Sequence, residues 1–254
     1  RPGAEASPDI TITVNGTDDT VGPNSKLTLR EAMKLATGEL SLGELSPSEC
    51  VRVSGAGWDL SLGRCGSTFS VGTFSDTIVF DPGVFPPGNP TTLHLNDALP
   101  VLDTGDDTVD GLMAGVIVDG VSGNFDCFKI TSNNNTIKGL EINGCWAGVV
   151  IRDGAQYNTV GGSDPGEGNV LSGSLYCEVA IVGSGTNGNV VKGNYIGTDA
   201  SGTVTVPNDW GGVCINNGAQ DNTVGGSNPG EGNVISGGNY SGVRIQHAGT
   251  NGNV

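Results

Sequence analysis

The side chains best suited to chemistry in this chain are its carboxylates, and "DTGDDTVD" gathers four of them at Asp103, Asp106, Asp107 and Asp110. Carboxylate oxygens at close spacing are what a Ca²⁺ site requires. The segment fits neither the EF-hand loop nor a GGxGxD repeat, so a solvated turn is expected. Glycoside hydrolysis needs two carboxylates about 5–10 Å apart. A lyase needs a base and a group that neutralises a uronate. The two histidines, His94 and His247, lie far apart and are expected at the surface rather than as a base or ligand pair. "GSGTNG", Gly183 to Gly188, fits the GxGxxG fingerprint, but that motif needs a following helix to receive the phosphates. Here "NVVKGNYIG" reads as more extended chain, so a corner is expected. Trp146, Tyr176, Tyr195, Trp210 and Tyr240 sit among Gly and Asn, where flat rings either stack on sugars or pack a corner. We assign no catalytic, cofactor-binding or metal-binding residue from these patterns.

The elements that would position such groups are repeats. "NTVGGSDPGEGNV" (Asn158 to Val170) recurs as "NTVGGSNPGEGNV" (Asn222 to Val234), differing only at Asp164 and Asn228. A reactive loop has no reason to be duplicated with its flanks, whereas a building block does. The undecorated unit "NNNTIKGLEINGCWAGVVIRDGAQ" (Asn133 to Gln156) holds three short apolar alternations. Period-2 alternation places Val149 and Ile151 on one face and Val150 on the other. Equivalent inward pairs recur at Val179/Ile181, Val213/Ile215 and Val243/Ile245, and all eight are expected to be buried in stacked columns. The outward columns then read Val150, Ala180, Cys214, Arg244 and Arg152, Val182, Asn216, Gln246, without a carboxylate. Gly supplies the strained corners and Asn tolerates them. Asn169, Asn194 and Asn233 occupy matching steps, where stacked amides can form a ladder. The pattern is that of an all-β, right-handed parallel β-helix, in which no single turn has enough core to stand alone. Residues 76–254 are expected to make about seven turns at roughly 4.8 Å each.

Residues 1–75 read differently. "DITITV", Asp9 to Val14, is one strand. "TLREAMKLATG" has Thr28 and Glu31 in capping-box register and Gly38 as a stop, with Leu29, Ala32, Met33 and Ala36 on one face. So short an amphipathic helix needs a surface to lie on, so Leu29 to Ala36 is expected to cap the stack. Six cysteines, Cys50, Cys65, Cys127, Cys145, Cys177 and Cys214, form no CxxC pair, and their even number suits disulfides in an oxidising compartment. Cys50 with Cys65 is the preferred bridge; the other pairings stay open. Sequons stand at Asn15, Asn134 and Asn239. No run of about 18 apolar residues is present, and a formal net charge of −16 repels nucleic acid and anionic lipid. The same charge disfavours polyuronates unless cations mediate the contact.

Over nearly the whole chain, "ITVNGTDDTV…LTLREAM", "DTIVFDPGVF", "NTVGG…GNVISG…GVRI" and "GNVVKGNYIGTDASGT" resemble the CSLREA-type repeat proteins. Leu27 and Thr28 stand where that family has a Cys ahead of the LREA step, and residues 38–75 form an insertion. The resemblance implies a secreted or surface-anchored bacterial β-helix protein and carries over no catalytic residue. The combined expectation is a non-enzymatic extracellular structural or adhesive element, with binding or cleavage of carbohydrate as the alternative. The chain stops within "TNGNV", Thr250 to Val254, just into a further repeat. Two expectations compete there: the chain is a piece of a longer solenoid, or it self-associates through the ends and through the Asp9 to Val14 strand, with fibre formation as one outcome.

Overall fold

The computed structural model describes residues 10–54, 56–59, 62–67 and 75–254. Strand β1 (Ile10–Val14) is followed by helix α1 (Leu29–Ala36), a 3₁₀ turn (Leu42–Glu44) and helix α2 (Pro47–Cys50). A two-stranded antiparallel ribbon, β2 (Ala56–Asp59) and β3 (Arg64–Ser67), completes this part. The remaining strands come in rounds. The first is β4 (Asp76–Phe80) and β5 (Thr91–His94), then β6 (Thr108–Asp110), β7 (Val116–Asp119) and β8 (Phe128–Ile130). Next come β9 (Thr136–Lys138), β10 (Glu141–Asn143) and β11 (Val149–Arg152), then β12 (Thr159–Gly161), β13 (Val170–Ser172) and β14 (Cys177–Val182). The last two rounds are β15 (Val190–Lys192), β16 (Tyr195–Ile196) and β17 (Gly211–Asn216), then β18 (Thr223–Val224), β19 (Val234–Ile235) and β20 (Ser241–Gln246).

From β6 onward each strand pairs in parallel with the strand three places later, so the chain visits three sheets in fixed rotation. The first sheet runs β1-β4-β6-β9-β12-β15-β18, the second β5-β7-β10-β13-β16-β19 and the third β8-β11-β14-β17-β20. One buried cluster draws Ile78, Val109, Ile137 and Val160 from the first sheet, Val118, Ile142 and Leu171 from the second, and Phe128, Val149 and Ile181 from the third. Strands this short hold little apolar area each, and stacking in register makes the core continuous. The seventh strand of the first sheet is β1, so residues from 76 onward complete six rounds, not seven.

Two expectations about the ends are corrected. The strand expected at Asp9 to Val14 is not free over its described part, Ile10–Val14; Asp9 lies outside the described residues. One edge pairs with β4, Ile10 opposite Asp76. On the other edge the Thr13 N–H donates to Arg52 O (2.8 Å), the Ser54 N–H donates to Thr11 O (2.8 Å), and Ile12 bridges Val53 antiparallel. An edge satisfied within its own chain is no template for another. At the other extreme Val243 and Ile245 keep their register with Val213 and Ile215 but are 43% and 46% exposed, since among the described residues no strand pairs with the outer edge of β20. The other six columnar residues are fully buried.

Helix α1 forms as expected. Thr28 Oγ1 accepts the Glu31 N–H (3.2 Å), the Thr28 N–H donates to Glu31 Oε2 (2.9 Å), and Gly38 follows the helix at φ 74°. Its face Leu29, Ala32, Met33 and Ala36 is buried. Arg30 fastens it, forking onto Asp19 (2.8 and 2.7 Å) and donating to the carbonyls of Asp97 and Ala98.

Corners tie the rounds together. The expected ladder is present: Asn169 Nδ2 donates to Asn194 Oδ1 (3.1 Å), and Asn194 Nδ2 to Asn233 Oδ1 (3.0 Å). A longer ladder, not foreseen, runs just ahead of the first sheet through Asn135, Asn158, Asn189, Asn222 and Asn253, with links of 2.9 to 3.0 Å. Asp107 takes the same place one round below, its N–H donating to Asn135 Oδ1. The residue before each rung is left-handed: Asp106, Asn134, Tyr157, Gly188, Asp221 and Gly252. At the corner after β16 only glycine fits at position 197 (φ 71°), since a Cβ there would run into Ser236 O.

Candidate functional site

The outward surface of the third sheet is where the aromatic residues converge. Trp146, Tyr176, Trp210 and Tyr240 each stand three positions before the paired residues Val149, Val179, Val213 and Val243. Phe125 holds the same position before Phe128. Backbone bonds confirm the register: the N–H groups of Trp146, Tyr176 and Tyr240 donate to the carbonyls of Phe125, Trp146 and Trp210 at 2.8, 2.7 and 3.0 Å. The rings form a column with centroids 6.1 Å (Trp146–Tyr176), 6.2 Å (Tyr176–Trp210) and 4.4 Å (Trp210–Tyr240) apart. Those separations are in the range of ring-to-ring packing. Arg244 adds its guanidinium over Trp210, 5.3 Å from the ring centre. Trp146 and Tyr240, at the column ends, are 44% and 67% exposed.

This column explains why the expected outward residues Val150, Ala180 and Cys214 are buried: with Ala147, Tyr176 and Val182, the first two form a second apolar cluster outside the main core. Two disulfides lie beside the column. Cys145, next to Trp146, bonds Cys127, and Cys177, next to Tyr176, bonds Cys214, each bridge joining adjacent rounds. The expected Cys50–Cys65 bridge is also present, with a Cα separation of 5.6 Å. Tyr195 does not join the column. It lies on β16 in the second sheet with its ring against Gly202, beside a cleft of about 320 Å³ between the two copies of the repeated loop.

The acidic cluster of the sequence is split among separate partners, although the charges of Asp76 and Asp106 also bear on Asp107. Asp107 is buried in the Asn column, accepting from the Asp76 N–H and Thr104 Oγ1, and burial lifts it to about 7. Asp106 accepts from Asn134 Nδ2, while Asp110 takes the Leu112 N–H and pairs with Lys138. His94 meets Asp119 at 3.0 Å on the second sheet, and His247 follows the third. Gly183 to Gly188 leads into β15, not a helix. Among the described residues no group of three or more His, Cys, Asp or Glu is placed to hold a metal ion.

The carboxylate that sequence reasoning missed is Glu178. Its register neighbours are Gly148 and Gly212, and a Cβ on Gly148 would stand 2.9 Å from Glu178 Oε2. The carboxyl fills space that Gly148 leaves, accepting from the Ser174 N–H (3.0 Å) and Ser174 Oγ (2.8 Å). It is fully buried, and loss of hydration raises it to about 7. Such a value suits general acid–base work, but the group reaches only its own corner.

The repeated loops are held alike. Glu167 accepts from the Asp164 N–H and Lys138, and Glu231 from the Asn228 N–H while pairing with Lys192. Among the described residues no helix is long and apolar enough to cross a membrane. No family model, curated protein or solved structure matches this chain.

Proposed function

We propose that this protein is a right-handed parallel β-helix that serves, without catalysing a reaction, as an exported structural or adhesive element. The observation that carries the reading is that repeated side chains are used to join each round to the next. Two Asn ladders, one aromatic column and two disulfides run along the corners. Right-handedness follows from the strong preference of parallel strands in one sheet for right-handed connections. Export is supported by three disulfides, which persist in oxidising compartments, and by the resemblance of the repeats to the CSLREA-type proteins. Against a polysaccharide-cleaving enzyme stands the use of the perturbed carboxyls Glu178 and Asp107, each bonded to groups of its own corner.

Incubation with pectin, alginate, chitin and cellulose, with and without Ca²⁺, tests the reading together with small-angle scattering. We expect an elongated particle and no release of reducing ends or unsaturated products. A turnover abolished by one acidic substitution would refute it.

A further inference from the structure

The outer face of the third sheet differs in charge from the rest of the chain. Overall the formal charge is −16. On this face one outward column reads Lys129, Val150, Ala180, Cys214, Arg244 and the next Arg152, Val182, Asn216, Gln246. They hold three cations and no carboxylate. Lys138 and Lys192, on the first sheet, are by contrast paired with Asp110, Glu167 and Glu231. Among the described residues neither Lys129 nor Arg244 has a carboxylate within ion-pair distance. Arg152 meets only its neighbour Asp153, and both are about half exposed, so that contact is weak. Asp126 lies near both Lys129 and Arg152; burial raises its pKa from the ordinary carboxylate value, and the two cations pull it back down. Asp153 and Asp209 are the exposed acids at the rim.

We propose that this face binds an acidic polysaccharide, its chain running across the rounds from Lys129 and Arg152 beside Trp146 to Arg244 beside Tyr240. The proposal rests on the adhesive reading above and names its ligand class. Successive rounds advance by about 4.8 Å, close to the advance of an extended pyranose chain per sugar. Four strand spacings, roughly 19 Å, separate Lys129 from Arg244. A carboxylate- or sulfate-bearing chain therefore meets Lys129 and Arg152 in the first rounds of the face, Arg244 in the last, and the edge of the aromatic column between them. The inner rings of the column are packed against one another. Sugar stacking is thus confined to Trp146 and Tyr240, and recognition is mainly by charge, which makes binding sensitive to salt.

Affinity electrophoresis of the full chain in gels containing polygalacturonate, a sulfated galactan, a neutral galactan or double-stranded DNA tests this. The acidic polysaccharides should retard the protein, and added salt should abolish the retardation. The Arg152→Gln/Arg244→Gln double variant, checked for an unchanged melting temperature, should weaken binding about tenfold, and Lys138→Gln should leave it unchanged. Equal retardation by the neutral galactan, lost on Trp146→Ala but not on the arginine changes, would overturn the acidic class while leaving adhesion intact. Equal retardation by DNA would reduce the effect to unspecific polyanion attraction and overturn the proposal. Retardation by no polysaccharide would overturn both the ligand class and the adhesive half of the reading, while the scattering and turnover assays still test the scaffold.

Discussion

Glu178→Gln isolates the energetic cost of one buried carboxyl. The amide keeps the shape: its Oε1 accepts the Ser174 N–H as before, and its Nε2 can donate to Ser174 Oγ. Only ionisation is removed. In the folded chain the carboxyl is raised from 4.5 to about 7, so the folded state holds its proton more tightly than the unfolded state. The stability tied to that proton is fully present below pH 4.5 and is lost as pH rises to about 7. At 1.36 kcal/mol per pH unit the loss is about 3 kcal/mol. Wild type and variant should therefore be similar near pH 4.5, and near pH 8 the variant should be more stable by about 3 kcal/mol. Asp107 is raised in the same sense, so the difference between the two proteins, not the wild-type slope, is the quantity to read. Urea unfolding with disulfides intact measures it, with amide exchange at Ser174 as a local probe where a repeat array departs from two-state behaviour. A difference that stays constant between pH 5 and pH 8, or that favours wild type at the higher pH, would refute the burial argument.

Three further outcomes are expected. Asn189→Ala removes the rung between Asn158 and Asn222 and leaves buried polar groups unpaired on both sides; it should cost about 3 kcal/mol, read as a lower urea midpoint at unchanged m-value. Cys177→Ala/Cys214→Ala opens a bridge spanning a sequence separation of 37 and should cost about 4 kcal/mol on the chain-entropy account, with aromatic near-ultraviolet dichroism reporting whether the Trp210 environment loosens. Expressed through a eukaryotic secretory pathway, the exposed sequon asparagines Asn134 and Asn239 should accept glycans. Asn15, buried and bonded to the Leu27 N–H, should not, and peptide mass spectrometry distinguishes the three.

Local pattern in the sequence carried the strands, the capping box of α1, the corner nature of Gly183 to Gly188, the Asn169–Asn194–Asn233 ladder and the Cys50–Cys65 bridge. Each depends on residues close in sequence or on identical phrases that align themselves. The second ladder was present as the recurrent Asn before Thr136, Thr159, Val190 and Thr223, but only Asn158 and Asn222 open the near-identical phrases, while Asn135 and Asn189 stand in other contexts. The aromatic column was harder still. Trp146, Tyr176, Trp210 and Tyr240 are separated by stretches of unequal length, and only the pairing of Val149, Val179, Val213 and Val243 shows that they share one position.

What tertiary structure alone decided follows from the same physics. Period-2 alternation says which side of a strand a residue faces, but not what covers that side. Val150 and Ala180 face away from the main core and are still buried, because the rings lie over them. Val243 and Ile245 face inward and are exposed, since among the described residues no strand stacks above them. Strand β1 looked free until the backbone of Arg52 to Ser54 closed its edge. Nothing in the local sequence marks Glu178 as buried; the space beside Gly148 in the adjacent round takes its carboxyl in. The sequence by itself determined the repeating unit and its periodicity; stacking register, set by backbone pairing between distant segments, decided burial, charge state and which side chains share the outer face of the third sheet.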